Sequence, residues 1–369
     1  MASNGVTRVL VTGASGYVGA HVVQQLQKAG HVVRGTVRST KNEQKIKPLK
    51  ELCPDAAHEL ELVEADLQKE DGWASAVADC SHVIHVASPF PANNPTNEEE
   101  VIRPAVDGTM VILKAAVAAK VKRVVLTSSF VAVASFTKSG TFTEKDWNTG
   151  TNESPYNKSK TMAEKAAWDY VNELPDDSKI ELAVINPSFI LGPYLTSTKS
   201  TSGDVICQML ERQMPALPSI SMPCIDVRDV AKAHVIAMTN DEAVGNRHIL
   251  LSKNLWFQEI CVILATEFKA QGYNPPTKVL PNFLVKFAAF FKTDLKQLVP
   301  QLDADIKGDN TRMREVLKID PIPIEESVID IGYSVIEKGW VKKTPKYKGR
   351  PQEETQENAV VDAAVEEEK

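Results

Sequence analysis

The sequence predicts an α/β protein built on a doubly wound, mostly parallel sheet, followed by a smaller C-terminal domain. Three observations carry this. Short β-branched runs alternate with helical patterns from residue 7 to about 130. A glycine-punctuated turn, VLVTGASGYVG at Val9 to Gly19, joins the first strand pattern to the first helix pattern. The 369 residues, 43% hydrophobic and 24% charged, suffice for one large domain or two unequal ones.

In Val9 to Gly19 the glycines Gly13, Gly16 and Gly19 stand three apart. The first permits backbone angles that a Cβ forbids, the second lets a pyrophosphate approach the main chain, and the third lets helix and strand pack closely. The helix that follows, Tyr17 to Gly30, would offer unpaired N–H groups and a positive dipole end to an anion. A plain tight turn is the competing reading. Position between a strand and a helix favours a dinucleotide.

His31 to Ser39 reads as the second strand. An NAD site usually has an acidic residue near this point to bind the ribose hydroxyls. Here stand Arg34 and Arg38, then Lys41 and Lys45. A guanidinium can bind a 2'-phosphate through paired charge-assisted hydrogen bonds, so these residues favour NADP(H). Glu59 to Leu67 is the third strand, ending in Asp66 and Leu67, where a carboxylate could meet an adenine amino group or cap the next helix. Cys80 to Phe90 is the fourth, with Ala87 and Ser88 at its C-terminal end, where ligands sit in open α/β sheets. A helix over Pro104 to Ala119 and a fifth strand over Val121 to Phe130 complete the alternation.

Chemistry enters with Ser128, Ser129, Tyr156 and Lys160. Ser154 to Leu174 reads as a helix, so Tyr156 and Lys160 share a face one turn apart. A lysine cation beside a phenol favours the phenolate, so the expectation is a Tyr156 pKa lowered toward neutrality and a general acid. Ser129, at a strand end, could hydrogen-bond a carbonyl oxygen as it becomes an alkoxide. The bland alternatives are a buried tyrosine with a satisfied hydroxyl and serines capping a strand.

TGASGYVG, the TSS at Thr127 to Ser129, Tyr156 with Lys160, and INPSFILGP at Ile185 to Pro193 resemble the extended short-chain dehydrogenase/reductase family. TVRS, HVASPF, IRPAVDGT, VVLTSS, AEKAAWDYV and DVRDVAKAH resemble its branch of dihydroflavonol 4-reductases, cinnamoyl-CoA reductases and yeast-type methylglyoxal (isovaleraldehyde) reductases, from about residue 7 to 340. The resemblance implies a Rossmann-type fold and NADP(H). It assigns Gly13, Ser15, Gly16, Tyr17, Val18 and Gly19 to the phosphate loop, Arg38 with Lys45 to the 2'-phosphate, and Asp66 and Leu67 to the adenine pocket. Tyr156 and Lys160 would be catalytic with Ser129, which is preferred to Ser128. Lys160 would also bind the nicotinamide ribose, Pro187 and Ile190 would flank the nicotinamide, and Ser202 would reach the cofactor.

The expected organisation is a nucleotide-binding domain over residues 1–187, rejoined by 226–250, a mainly substrate-binding part over 188–341, and a disordered charged tail over 342–369. Within it, Leu195 to Asp204 reads as a polar loop and Asp226 to Met238 contains a helix that Asp229 could cap. Asn282 to Lys292 reads as a core helix or pocket wall, and Ile324 to Trp340 as a packed terminal helix.

Composition bounds the rest. A net charge of -6 and a pI near 5.8 give no electrostatic footprint for nucleic acid. No apolar run reaches the roughly 18 residues of a membrane span and MASNGVTRVL has no hydrophobic signal core, so a cytoplasmic location is expected. The five cysteines include no CxxC pair, and His82 and His85 point to opposite faces of a strand, so no metal is expected. The function expected is reduction of a small aldehyde or ketone with NADPH. Hydroxysteroid dehydrogenation, nucleotide-sugar epimerisation and non-catalytic NADPH sensing are the alternatives. The helices Pro104 to Ala119 and Ser154 to Leu174 could pair two copies into a homodimer.

Overall fold

A computed structural model describes residues 7–89, 97–150, 153–291, 296 and 298–351. The alternation yields β1 (Arg8–Thr12), α1 (Tyr17–Lys28), β2 (Val32–Val37), α2 (Glu43–Lys50), β3 (Glu61–Glu64), α3 (Trp73–Val77), β4 (His82–His85), α4 (Glu99–Ala118), β5 (Arg123–Thr127), β6 (Gly140–Phe142), α5 (Pro155–Glu173) and β7 (Glu181–Pro187). Then come β8 (Phe189–Leu191), α6 (Thr201–Leu210), β9 (Ser221–Asp226), α7 (Val227–Thr239), β10 (Arg247–Leu250), β11 (Lys253–Trp256), α8 (Phe257–Phe268), α9 (Asn282–Ala288) and β12 (Ile306–Gly308).

Seven strands form one sheet in the order β10-β7-β5-β4-β1-β2-β3, and every pair in it is parallel. This is the doubly wound order, with its topological switch between β1 and β4. A ligand crevice is expected at the C-terminal ends of those strands. Side chains alternate across the sheet: Val9 and Val11 pack with Val18 and Val22 of α1, while Leu10 faces Trp73, Ile112 and Leu113 on the other side. Burial on both faces is what makes these strands read as continuous apolar runs. A three-stranded sheet, β11-β9-β8, and a two-stranded one, β12-β6, complete the described strands.

Several elements differ from their sequence reading. α4 starts at Glu99, so Pro104 lies inside it; proline lacks the N–H for one rung but supplies a helical φ. The segment read as a polar loop turns helical at Thr201, because Ser200 caps α6 by accepting from Gly203 N at 3.3 Å. Asp226, not Asp229, caps α7 and accepts from Arg228 N at 2.7 Å, since Val227 is the first helical residue. Asp229 instead accepts from Ile322 N at 2.8 Å, and burial raises its carboxyl to about 6.

α9 buries only Val285, with Ala289 just past its end, and none of it lines the crevice at the strand ends. Its Phe283 and Phe287 are 69% and 63% exposed, and Phe290 and Phe291 beyond it 78% and 77%. The start of the expected tail is also ordered. The Tyr273 hydroxyl donates to Lys342 O at 3.1 Å, Tyr347 donates to Glu337 at 2.6 Å, and Arg350 pairs with Asp330. Residues 352–369 lie outside the described residues, as does Phe90.

A candidate nucleotide and catalytic cleft

The crevice is a cavity of about 1290 Å³ over the C-terminal ends of β1, β2, β4, β5 and β7. Gly13 opens it with φ +68°, and a Cβ there would lie 3.1 Å from Ala87, so the turn and the end of β4 meet backbone to backbone. Gly13 N donates to Thr36 Oγ1 at 3.1 Å, and Ala14 N to Thr36 O at 3.2 Å, which pins the turn to β2. Gly16 stands before α1, and no side chain caps that helix end. Its first-turn N–H groups therefore lack side-chain acceptors beside the cavity, the arrangement that suits a phosphate. A Cβ at Gly19 would come 2.2 Å from Gly13 O, so only glycine lets α1 start against the turn.

Beneath the switch point, Thr12 Oγ1 and His85 Nδ1 lie 2.7 Å apart, and Ala87 N donates to Thr12 Oγ1 at 3.0 Å. Burial lowers the His85 pKa to about 3, so the ring is neutral and joins β1 to β4 as an uncharged hydrogen-bonding group. Neither Thr12 nor Thr36 carries a motif that would have marked it in advance.

Gly13, Ser15, Gly16, Tyr17, Val18, Arg38, Lys45, Asp66, Leu67, Ala87, Ser88, Ser129, Tyr156, Lys160, Pro187, Ile190 and Ser202 all line the one cavity. Of the residues that the resemblance assigned to the site only Gly19 does not, because its part is packing. Tyr17 is largely committed elsewhere. It donates to Gly192 O at 2.8 Å, stacks on Tyr194 with ring centroids 4.2 Å apart, and burial raises its phenol well above the ordinary value. The ring thus clamps the turn to the chain beyond β8.

The cations after β2 divide. Arg34 donates to Glu61 Oε2 at 2.9 Å and to the Ala78 carbonyl at 2.7 Å, holding β3 and the end of α3. Arg38, past the strand end, and Lys45, in the first turn of α2, reach the cavity; Lys41 does not. Asp66 closes a turn by accepting from Gln68 N at 3.1 Å, whereas the residue before α3 is Gly72. Its carboxylate therefore caps no helix.

At the other end of the cavity, β5 runs out into Ser128 and Ser129. Ser128 is buried and donates to Glu164 at 2.5 Å, whereas the Ser129 hydroxyl hydrogen-bonds Tyr156. Ser154 caps α5 by accepting from Asn157 N at 3.2 Å, which sets Tyr156 in the first turn. Lys160 Nζ lies 5.8 Å from the Tyr156 ring centroid and donates to Ser88 Oγ at 3.0 Å. The expected lowering of the Tyr156 pKa is not found. Burial raises it above the ordinary tyrosine value, the Ser129 hydrogen bond opposing this, and burial lowers Lys160 to about 8. The lysine is aimed at Ser88, so desolvation outweighs charge attraction at the phenol. Among the described residues no cluster could hold a metal ion, and no helix is long and apolar enough to cross a membrane.

The sheet order and the glycine-opened helix at its switch point define a Rossmann-type α/β protein. Residues 9–251 match the NAD dependent epimerase/dehydratase family, and the chain belongs to it, within the extended short-chain dehydrogenase/reductases. The chain is 37% identical over 267 residues to a cinnamoyl-CoA reductase of Medicago truncatula, covering 69% of this chain and 79% of that protein. It is 34% identical over 292 residues to the NADPH-dependent methylglyoxal reductase of Saccharomyces cerevisiae, covering 73% and 84%. The solved structure of the yeast methylglyoxal/isovaleraldehyde reductase complexed with NADPH superposes with a TM-score of 0.73 at 28% identity, covering 90% of this chain and 99% of that one.

Proposed function

We propose that the protein is an NADPH-dependent oxidoreductase that reduces the carbonyl group of a small aldehyde or ketone. The observation that carries this is the convergence of Ser129, Tyr156 and Lys160 at one end of a cavity whose other end holds Arg38 and Lys45. Relatives that are NADPH-dependent reductases support it, as does a close structural neighbour complexed with NADPH. The residues fit the dinucleotide: an uncapped helix start would take the pyrophosphate, and the turn is wound so tightly that a Cβ at Gly13 or Gly16 would come within 3.1 Å of Ala87 or of the Gly13 carbonyl. Arg38 would take the 2'-phosphate bidentately with Lys45 beside it, and Asp66 and Leu67 would flank the adenine.

When bound, the nicotinamide supplies the hydride. The chain's own residues do the rest. Ser129 and Tyr156 hold the carbonyl oxygen between two hydroxyls, so the charge that develops on it meets preorganised donors. Tyr156 passes its proton to that oxygen; its phenol opens to the cleft, 40% exposed, and with a pKa raised above the ordinary tyrosine value it is protonated at neutral pH and serves as the acid in this direction. Lys160 would hold the nicotinamide ribose and stabilise the phenolate left behind. Pro187 and Ile190 would flank the nicotinamide, with Ala87, Ser88 and Ser202 lining the same cavity. Phe136, Phe189, Met222 and Leu298 give the carbonyl side an apolar lining. Residues 188–341 mainly build that side in this reading. Purified protein with NADPH and a panel of aldehydes and ketones tests it. Oxidation of NADPH coupled to alcohol formation is the expected result, and no turnover across the panel would count against it.

A further inference from the structure

Glu164 lies on α5 one turn beyond Lys160 and two beyond Tyr156, with 1% of its surface exposed. It accepts from Ser128 Oγ at 2.5 Å, from Asn186 Nδ2 at 2.8 Å and from Arg247 Nε at 2.5 Å. These partners come from the ends of β5 and β7 and from the start of β10. Ser128 is the residue before Ser129, and Asn186 Nδ2 also donates to the Ser129 carbonyl at 3.2 Å. One buried carboxylate therefore fastens the helix that presents Tyr156 and Lys160 to the strand end that presents Ser129 and to the two strands on one side of it, β7 and β10. Arg247, itself buried, is held in turn over the Trp147 ring at 3.9 Å from its centroid. Of these groups only Ser128 borders the cavity.

We propose that Glu164 is a positioning residue for the reduction, with Ser128 and Asn186 as the arms through which it sets the Ser129–Tyr156 distance. Apolar packing alone leaves a helix free to slide against a sheet by fractions of an ångström. Three short, charge-assisted hydrogen bonds to three strands remove that freedom. A buried charge with these three partners, and with the Trp168 indole N–H donating at 3.3 Å, is costly to assemble and is not needed for stability alone. Its place, directly behind the hydroxyl pair, gives it a purpose in geometry. This inference rests on the reading of Ser129, Tyr156 and Lys160 as the catalytic set.

The test uses the full chain with NADPH and a carbonyl compound that it turns over. Ser128→Ala and Glu164→Gln should each lower kcat by roughly tenfold or more, because small misplacements of reacting groups cost that much. The KM for the carbonyl compound and the Kd for NADPH should stay within about twofold. Glu181→Gln serves as control, since Glu181 pairs with buried Arg123 at the opposite end of β5; it should lower Tm without moving kcat. If Glu164→Gln does not fold, Ser128→Ala decides alone. Wild-type kcat in folded Ser128→Ala, or a loss carried by NADPH affinity with kcat intact, would overturn the positioning role. Tyr156→Phe measured alongside separates the two claims. If it is inactive while Ser128→Ala keeps wild-type kcat, only the positioning role fails; if it turns over like wild type, the catalytic reading fails and takes the positioning role with it.

Discussion

Lys160 Nζ donates to Ser88 Oγ across 3.0 Å, tying α5 to the end of β4 where the cleft opens. The bond keeps the half-buried ammonium in place at the cost of part of its hydration. Burial lowers the Lys160 pKa to about 8, against an ordinary value of 10.5. Between these values the unfolded chain binds more protons than the folded one, so this group's contribution makes stability rise with pH. Without cofactor, Lys160→Met should therefore melt above wild type at pH 7, and the gap should narrow as pH rises through 8 toward 10. Thermal unfolding at pH 7 and 9.5 checks this; a constant gap would contradict it. The same variant should lose turnover.

Arg38 separates the two nicotinamide cofactors in this account. Removing a charge-assisted pair with a phosphate costs on the order of 1.5–3 kcal/mol, roughly tenfold to a hundredfold in affinity. Arg38→Ala should weaken NADPH binding by that factor and leave NADH binding nearly unchanged. Titration of cofactor fluorescence reads both. Arg34→Ala should behave differently, lowering stability through the lost hold on Glu61 and Ala78 O and sparing the cofactor ratio.

Gly19 is the tightest packing point of the turn. A Cβ there would meet Gly13 O at 2.2 Å, and the obstacle is backbone that cannot rotate aside. Gly19→Ala should destabilise by about 1–3 kcal/mol, the usual cost of overpacking. It should weaken NADPH binding as well, because the helix start must move. Urea unfolding and cofactor titration check the two effects.

The aromatic cluster at α9 makes the opposite prediction. Phe287 and Phe291 have ring centroids 5.5 Å apart and both are largely exposed. Polar replacement of Phe283, Phe287, Phe290 or Phe291 should change stability by no more than about 0.5 kcal/mol and should raise solubility. A large drop in Tm would mean that the cluster is packed in solution.

How much of this was legible in the sequence depends on the range of the interaction. The glycine turn and the Tyr156–Lys160 spacing act within one or two turns of chain, so their order survives in the sequence. Arg34 and Arg38 looked alike in one dimension; only the position of Glu61, β3 and α3 shows that one is structural and the other borders the cleft. Glu164 drew no separate notice because its partners Ser128, Asn186 and Arg247 are 36, 22 and 83 residues away. The direction of the phenol's pKa is hidden for a related reason. Helical spacing sets Lys160 near Tyr156, but Ser88, from another strand, decides where its charge points. The apolarity of Asn282 to Lys292 suggests a core helix or pocket wall, because composition does not record which side of a helix has a neighbour.

The most direct measurement is the single-turnover rate of NADPH oxidation by wild type and Tyr156→Phe with a carbonyl compound that the wild type reduces. The account predicts a loss of roughly a hundredfold to ten-thousandfold in the chemical step, the range general acid catalysis supplies, with NADPH affinity retained. Hydride transfer in Tyr156→Phe at the wild-type rate would contradict it.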